Sequence, residues 1–361
     1  MTELDTLLAH AGDKRDEATG ALVSPIHLSA TYQHPELGKS TGFDYTRTAN
    51  PTRQGLEEAL AAIESGTRAF ATSSGMAAIA LALEIFPVGA KVVASRDLYG
   101  GSFRWFDERE KMGRFAFSYA TTEDEMLDAI GSDTDVVYLE TPTNPLMVEV
   151  DIAKIAGKAH AVGAKLIVDN TFYTPIYQRP LEMGADMVLH SMTKYLGGHN
   201  DVLAGCVVVR DAALAEQLDF QLNTTGAVLS AFDSYLVLRG LKTLSLRMAR
   251  ATANAHAIVA MLAESPAVKA VLYTGKGGMV SFKLVDESRI PQILRALKVF
   301  TFAESLGGVE SLVTYPATQT HHDIPEAVRV SYGLTNDLLR LSVGIEDAKD
   351  LVADLKQALE G

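Results

Sequence analysis

Five short runs constrain this chain more than any other feature. They are Lys91-Val92-Val93-Ala94, Val136-Val137-Tyr138-Leu139, Leu166-Ile167-Val168, Met187-Val188-Leu189 and Val207-Val208-Val209. A strand with one face in water alternates apolar and polar positions, whereas an unbroken apolar run suits a parallel strand covered on both faces. Most of these runs follow a stretch with helical spacing. The pattern predicts an α/β domain built on a large, mainly parallel sheet.

The rest of the chain divides around that core. Residues 1–50 carry turn signals (Ser24-Pro25, His34-Pro35, Gly38, Asn50-Pro51) and little periodicity, so they are expected to form an arm lying over something else, such as a neighbouring subunit. Residues 51–232 are assigned to the α/β domain, opening with a helical pattern that puts Leu56, Leu60 and Ile63 on one face. From about Asp233 the character changes. A helical stretch over residues 235–262 precedes two short strand candidates, 279–282 and 341–343, and a final helix over 348–359. Residues 233–361 therefore predict a smaller α+β domain. No internal repeat or low-complexity tract interrupts this reading.

Composition narrows the class of partners. Hydrophobic residues make up 47 % and charged residues 21 %, which is ordinary for a soluble globular protein. The net charge of −13 opposes nucleic acid as a partner, because phosphate binding needs a basic surface. A single cysteine, Cys206, excludes an internal disulfide and sits among valines as a buried, inert thiol. The acidic start Met1-Thr2-Glu3-Leu4-Asp5 has no apolar core and is no secretory signal. The longest apolar stretch, residues 76–93, is broken by Glu84 and Pro87 and cannot span a bilayer. A cytoplasmic protein with no membrane partner is expected.

In open α/β sheets, ligands bind beyond the carboxyl ends of the strands. The residues that follow the runs are Asp97 and Tyr99, Glu140 and Asn144, Asp169 and Asn170, and His190 through Lys194. Taken alone, a lysine after a strand is an ordinary surface residue, and an aspartate there an ordinary turn cap. Together they suggest more. Lys194, between hydroxyl-bearing neighbours, can form an imine, and Asp169, 25 residues earlier, can pair with a buried cation. Pyridoxal 5′-phosphate (PLP) needs that pair, because a protonated pyridine held by a carboxylate makes the ring an electron sink. Ser73-Ser74-Gly75-Met76 opens a helix with small residues and can cradle a phosphate on free backbone N–H groups. It is not a Walker loop, which would need Lys-Ser or Lys-Thr after the glycine, and Gly275-Lys276-Gly277-Gly278 fails the same test and reads as a turn. His321-His322-Asp323 is read as a loop pair rather than a metal site, since adjacent residues rarely chelate together. His199 is read as a turn residue with a backbone partner. No metal is expected.

Six segments carry a resemblance over nearly the whole chain: Tyr45-Thr46-Arg47-Thr48-Ala49-Asn50-Pro51-Thr52, Asp97-Leu98-Tyr99-Gly100-Gly101-Ser102, Val168-Asp169-Asn170-Thr171-Phe172, Ser191-Met192-Thr193-Lys194-Tyr195, Ser305-Leu306-Gly307-Gly308 and Arg340-Leu341-Ser342-Val343-Gly344. They resemble the Cys/Met-metabolism family of PLP enzymes, which includes cystathionine γ-synthase, cystathionine β- and γ-lyases and O-acylhomoserine sulfhydrylases. The resemblance implies the aspartate aminotransferase-like fold (fold type I) and PLP as cofactor. It makes Lys194 the imine-forming lysine and proton shuttle, Asp169 the partner of the pyridine nitrogen, and Tyr99 the residue stacked on the ring. Gly75, Met76, Ser191 and Thr193 would bind the phosphate. Tyr45 and Arg47 would reach that phosphate from a neighbouring subunit, which implies self-association, as a homotetramer built from dimers. Arg340 would clamp the α-carboxylate of an amino-acid substrate, supported by Asn144, also near the cofactor, and by the Ser305 backbone.

The resemblance leaves the reaction open and favours one answer. Glu304, before the Ser-Leu-Gly-Gly turn, would meet the distal amine of a four-carbon substrate, with Asp44 and Arg104 completing a set of charges for a zwitterionic end. The stretch Thr314-Tyr315-Pro316-Ala317-Thr318-Gln319-Thr320-His321 looks most like the bacterial synthases that use acylated homoserine. Many relatives have a longer loop where this chain has only Leu272-Tyr273-Thr274-Gly275, so any substrate contact from that loop is absent. The expected reaction is cystathionine γ-synthesis by γ-replacement on O-acylhomoserine with cysteine. The alternatives are β- or γ-elimination of cystathionine and O-acylhomoserine sulfhydrylation.

Overall fold

Branched and aromatic side chains pack well on a pleated surface covered from both sides, and the five runs become central strands for that reason. The computed structural model describes residues 2–13, 16 and 18–361. Its larger sheet comprises β1 (Arg68–Thr72), β2 (Ala90–Ser95), β3 (Phe115–Ala120), β4 (Val136–Glu140), β5 (Lys165–Asp169), β6 (Met187–Ser191) and β7 (Gly205–Val209), in the order β1-β7-β6-β5-β4-β2-β3. Neighbours pair in parallel except at β7, which runs against both β1 and β6.

Alternate residues of each run enter different cores, which explains the absence of a polar face. Val136 and Tyr138 pack with Ile79 and Phe106 on one side of the sheet. Val137 and Leu139 pack with Ile152 and Ile155 on the other. β1 and β3 escaped the sequence reading because they are the two edge strands. Arg68 is exposed, and β3 is buried only at its two ends.

The helical stretch expected over residues 235–262 is two helices, Ala231–Leu241 and Leu244–Glu264. Ser230 caps the first by accepting the Asp233 N–H at 3.0 Å. That helix packs Val237, Leu238 and Leu241 against Leu56 and Leu60 beside the larger sheet. The second helix, with Ala348–Glu360, covers a smaller sheet through Ile258, Leu262, Leu351 and Leu355. This sheet contains β8 (Val268–Leu272), β9 (Met279–Leu284), β10 (Thr301–Phe302), β11 (Leu312–Thr314) and β12 (Leu338–Ser342), in the order β10-β11-β12-β9-β8. Only β9 and β12 had a sequence signal, because the others are very short or half-exposed.

The amino-terminal residues behave in two ways. Leu8 and Ala11 are buried in the chain's own core. Residues 21–49 form no helix or strand beyond isolated bridges, and Leu22, Leu28 and Leu37 stand exposed. Among the described residues no helix is long and apolar enough to cross a membrane.

Candidate active site

The carboxyl ends of β4, β5 and β6 deliver Glu140, Asp169 and Ser191 to one place, with Glu140 and Asp169 in register on adjacent strands. A cavity of about 260 Å³ opens there. Gly75, Met76, Tyr99, Asn144, Asp169, Ser191, Thr193, Lys194, Glu304, Ser305 and Arg340 all line it. A second cavity of about 410 Å³ lies between the amino-terminal segment and the helix Ala231–Leu241, lined by residues such as Gly12, His27 and Arg239. It too carries a lysine and carboxylates, Lys242 with Asp13 and Asp16, but there the lysine is already paired with Asp13 at 2.5 Å.

Lys194 follows β6 in a tight turn closed by the Lys194 N–H donating to the Ser191 carbonyl at 3.1 Å. Its Nζ donates to Ser305 Oγ at 3.0 Å. Burial, reinforced by repulsion from Arg340 and opposed by Glu304, lowers the ammonium pKa to about 8. A useful fraction of the amine is then neutral, and therefore nucleophilic, near neutral pH.

Asp169 is half-buried, open only to the cavity. Its Oδ1 accepts the Thr171 N–H at 3.0 Å and the Thr171 hydroxyl at 2.6 Å. Thr171 Oγ1 in turn accepts the Ser191 N–H at 2.9 Å, so one threonine joins the carboxylate to the strand that leads to the lysine. Burial pushes Asp169 upward against those hydrogen bonds. Glu140 is pushed well above the usual range, first by burial and then by Asp169 itself, while its Oε2 accepts the Tyr99 N–H at 3.0 Å. Two carboxyls side by side in a closed pocket call for a cation between them. Behind them lies a pair that sequence reasoning missed: His190 Nε2 sits 2.5 Å from Glu64 Oε1, both fully buried. Glu64 ends a helix far away in sequence, and nothing local marks it.

Arg340 lies mid-strand in β12, every residue of which is buried. It donates to Asn144 Oδ1 at 2.7 Å, the Ser305 carbonyl at 3.2 Å and Thr314 Oγ1 at 3.3 Å, and its buried Nε has no partner among the described residues. Burial, offset in part by Glu140, lowers its pKa to about 10, so it stays charged at neutral pH. Ser305 reaches both cations at once through a backbone φ of +100°, which a serine rarely adopts. Such a conformation costs about 1–3 kcal/mol and persists where the surroundings enforce it, commonly at functional sites.

The phosphate cradle fits its expected shape. Ser74 Oγ caps the helix Gly75–Glu84 by accepting the Ala77 N–H at 3.1 Å, and the Gly75 and Met76 N–H groups belong to the first turn, which has no intrahelical acceptors. A side chain at position 75 would press to 2.8 Å from Ser191 Cβ, so the glycine keeps that corner clear. Thr193 is pinned by exchanging hydrogen bonds with Ala204 at 3.2 and 3.0 Å.

Four expected site residues lie outside the cavity of the single chain. Arg47 donates to the Asn223 carbonyl at 2.6 Å and its guanidinium carbon sits 5.7 Å from the Tyr45 ring centre. Asp44 accepts from Ser40 at 2.5 Å and lies 3.2 Å from His34. Arg104 pairs with Asp323 at 2.6 Å. His199 Nδ1 meets the Gly197 carbonyl at 2.8 Å, as a turn residue should. His321 lies in a loop, as read, but not at the surface. It is fully buried, because its imidazole fills a gap between two backbone segments of the cavity wall.

A lysine held partly neutral, a carboxylate and a glycine-opened helix start lining one pocket suit an aromatic aldehyde that carries a ring nitrogen and a phosphate. That combination on an α/β sheet with a smaller second sheet defines a PLP-dependent enzyme of fold type I. The chain belongs to the Cys/Met metabolism PLP-dependent enzyme family, whose model matches residues 5–360. It is 54 % identical over 358 residues to the cystathionine gamma-synthase/O-acetylhomoserine (thiol)-lyase of Bacillus subtilis (strain 168), covering 99 % of this chain and 96 % of the relative. It is 46 % identical over 373 residues to a cystathionine gamma-lyase of the same organism, covering 98 % of each. The crystal structure of cystathionine gamma synthase from Xanthomonas oryzae pv. oryzae in complex with cystathionine superposes with a TM-score of 0.97 at 42 % identity, covering 100 % of this chain and 98 % of that one.

Proposed function

We propose that this enzyme makes cystathionine by γ-replacement, exchanging the acyloxy group of O-acylhomoserine for the sulfur of cysteine. The observation that carries the reading is the charge layout of the cavity. Arg340, with an unused Nε, is on one wall, and the Glu304 carboxylate stands beside Ser305 at the same opening. An α-carboxylate on Arg340 with the ammonium of an incoming cysteine, or of the cystathionine it forms, towards Glu304 matches that layout. PLP, when bound, supplies the electron sink that makes the substrate Cα and Cβ acidic. Asp169 would hold its ring nitrogen, Tyr99 would cover the ring, and Gly75, Met76, Ser191 and Thr193 would hold its phosphate. Arg340 and Asn144 would grip the α-carboxylate in a planar fork. Lys194 Nζ, within reach of Ser305, would carry protons from Cα and Cβ.

Residues 1–50 are proposed as an arm, 51–232 as the cofactor domain and 233–361 as the second domain. Tyr45 and Arg47 are proposed to complete the phosphate site of a neighbouring subunit in a cytoplasmic homotetramer. The exposed apolar residues of the segment 21–49 support a covered position for it. Asp44 and Arg104 are proposed to meet the distal end of the substrate.

The second reading, breakdown of cystathionine, is favoured by the 46 % identity to a relative named as a lyase. Product analysis by mass spectrometry separates the two. O-acylhomoserine plus cysteine should give cystathionine faster than cystathionine gives pyruvate or 2-oxobutyrate. Rapid pyruvate release with no cystathionine formed would make the enzyme a β-lyase.

A further inference from the structure

The strand β11 is followed by residues 315–321, which return from the smaller sheet to the cavity and end on His321. The approach is close. The Thr320 carbonyl lies where a side chain on Gly100 would stand, 2.0 Å from an ideal Cβ, so Gly100 and the Thr320-His321 pair are two halves of one contact. His321 is fully buried. Its Nε2 lies 3.1 Å from the Leu98 carbonyl and 2.9 Å from the Asn144 carbonyl. Both oxygens can only accept, so Nε2 carries the proton and donates to them. Nδ1, 2.8 Å from Thr320 Oγ1, is then the acceptor of that hydroxyl. The ring is neutral, since burial and the nearby Arg340 lower its pKa to about 4.

The two carbonyls belong to two separate segments, each of which supplies a residue to the cavity lining, Tyr99 and Asn144. Leu98 immediately precedes Tyr99. Asn144 presents its side-chain oxygen to Arg340 at 2.7 Å while its backbone oxygen is on His321. The histidine therefore fixes Asn144 from behind. The neighbouring Arg104–Asp323 ion pair joins the His321 loop only to the helix that follows Tyr99, and it is exposed on the arginine side, where such pairs contribute little.

We propose that His321 is a positioning residue of the carboxylate clamp: its Nε2–H ties the Leu98 and Asn144 backbones together and so holds Asn144 Oδ1 on Arg340. The inference rests on the reading of Arg340 and Asn144 as the clamp for the substrate α-carboxylate.

The test uses PLP-loaded enzyme and two probes that cannot undergo γ-replacement, L-alanine and ethylamine, which differ in the carboxylate. Their dissociation constants are read from the change in cofactor absorbance. H321A should weaken L-alanine about tenfold, the worth of one mispositioned charge-assisted hydrogen bond, and leave ethylamine unchanged. H321Q, which keeps a neutral N–H donor, should restore most of the loss. A general structural role would weaken both probes alike, and that result, or no loss of L-alanine binding, would overturn the inference. Thr320→Val removes only the hydroxyl that sets the imidazole tautomer, and it carries the test if H321A does not fold: a selective loss of L-alanine supports the proposal, and no change overturns it. Arg340→Lys is the reference. If it leaves L-alanine binding intact, the clamp reading itself fails; if it weakens binding while H321A does not, only the role of His321 fails.

Discussion

The cavity and the segment 21–49 carry residues of the same chemical kind in opposite circumstances. Arg340 is 1 % exposed and donates three hydrogen bonds, while Tyr45 is 49 % exposed and Arg47 is open to solvent beside it. One arginine is held within a buried strand by a neighbouring strand and two loops. The other leans on a single carbonyl and an aromatic ring. Ordering a long side chain costs up to about 2 kcal/mol, which a core supplies and an open segment does not. The chain thus fixes Lys194, Asp169 and Arg340 by itself, and nothing in the single chain fixes Tyr45 and Arg47 to the same degree.

The largest effect separating the two regions should come from Arg340→Lys. Lysine cannot present a planar fork to a carboxylate, and Asn144 and Thr314 would lose their donor. KM for O-acylhomoserine should rise about a hundredfold, close to 2.7 kcal/mol, with secondary structure by circular dichroism unchanged. An unchanged KM would remove Arg340 from the substrate site.

Arg47→Ala should weaken PLP by about 2 kcal/mol, the scale of a hydrogen bond to a charged group. Mixing that variant with Lys194→Ala should restore activity if the site is shared, because a hybrid dimer then holds one wild-type site. Lack of recovery after confirmed subunit exchange would mean that each site is built within one chain.

The smallest effect is a pH dependence within the cavity. Only the neutral Lys194 amine attacks an aldehyde, and its depressed pKa is about 8. The rate at which cofactor-free protein captures PLP should therefore increase as pH rises through about 8 and level off above it. A midpoint near the ordinary lysine value would show that burial does not tune this group.

The same contrast explains what the sequence made legible. β4 to β7 were readable because both faces of each strand are apolar, and the site followed because it hangs on the ends of those strands: Asp169 ends β5, and Lys194 stands three residues beyond β6. β1, β3 and β10 lacked that signal, being edge strands whose pairing is set by neighbours far along the chain. The break between the helices at Lys242-Thr243 was hidden in one apolar stretch. The burial of His321 within its loop was not legible because it depends on two segments, residues 98–100 and the turn at Asn144, that only the fold brings together. Glu64 escaped for the same reason. The roles of Tyr45 and Arg47 came through the family resemblance alone, since nothing in their own segment fixes them.

The central claim is that Lys194 is the residue that holds the cofactor. Borohydride reduction of the yellow, PLP-loaded enzyme followed by proteolysis and peptide mapping tests it directly. A single labelled peptide with the pyridoxyl group on Lys194 is the predicted result, and label on any other lysine, or none retained after denaturation, would contradict it.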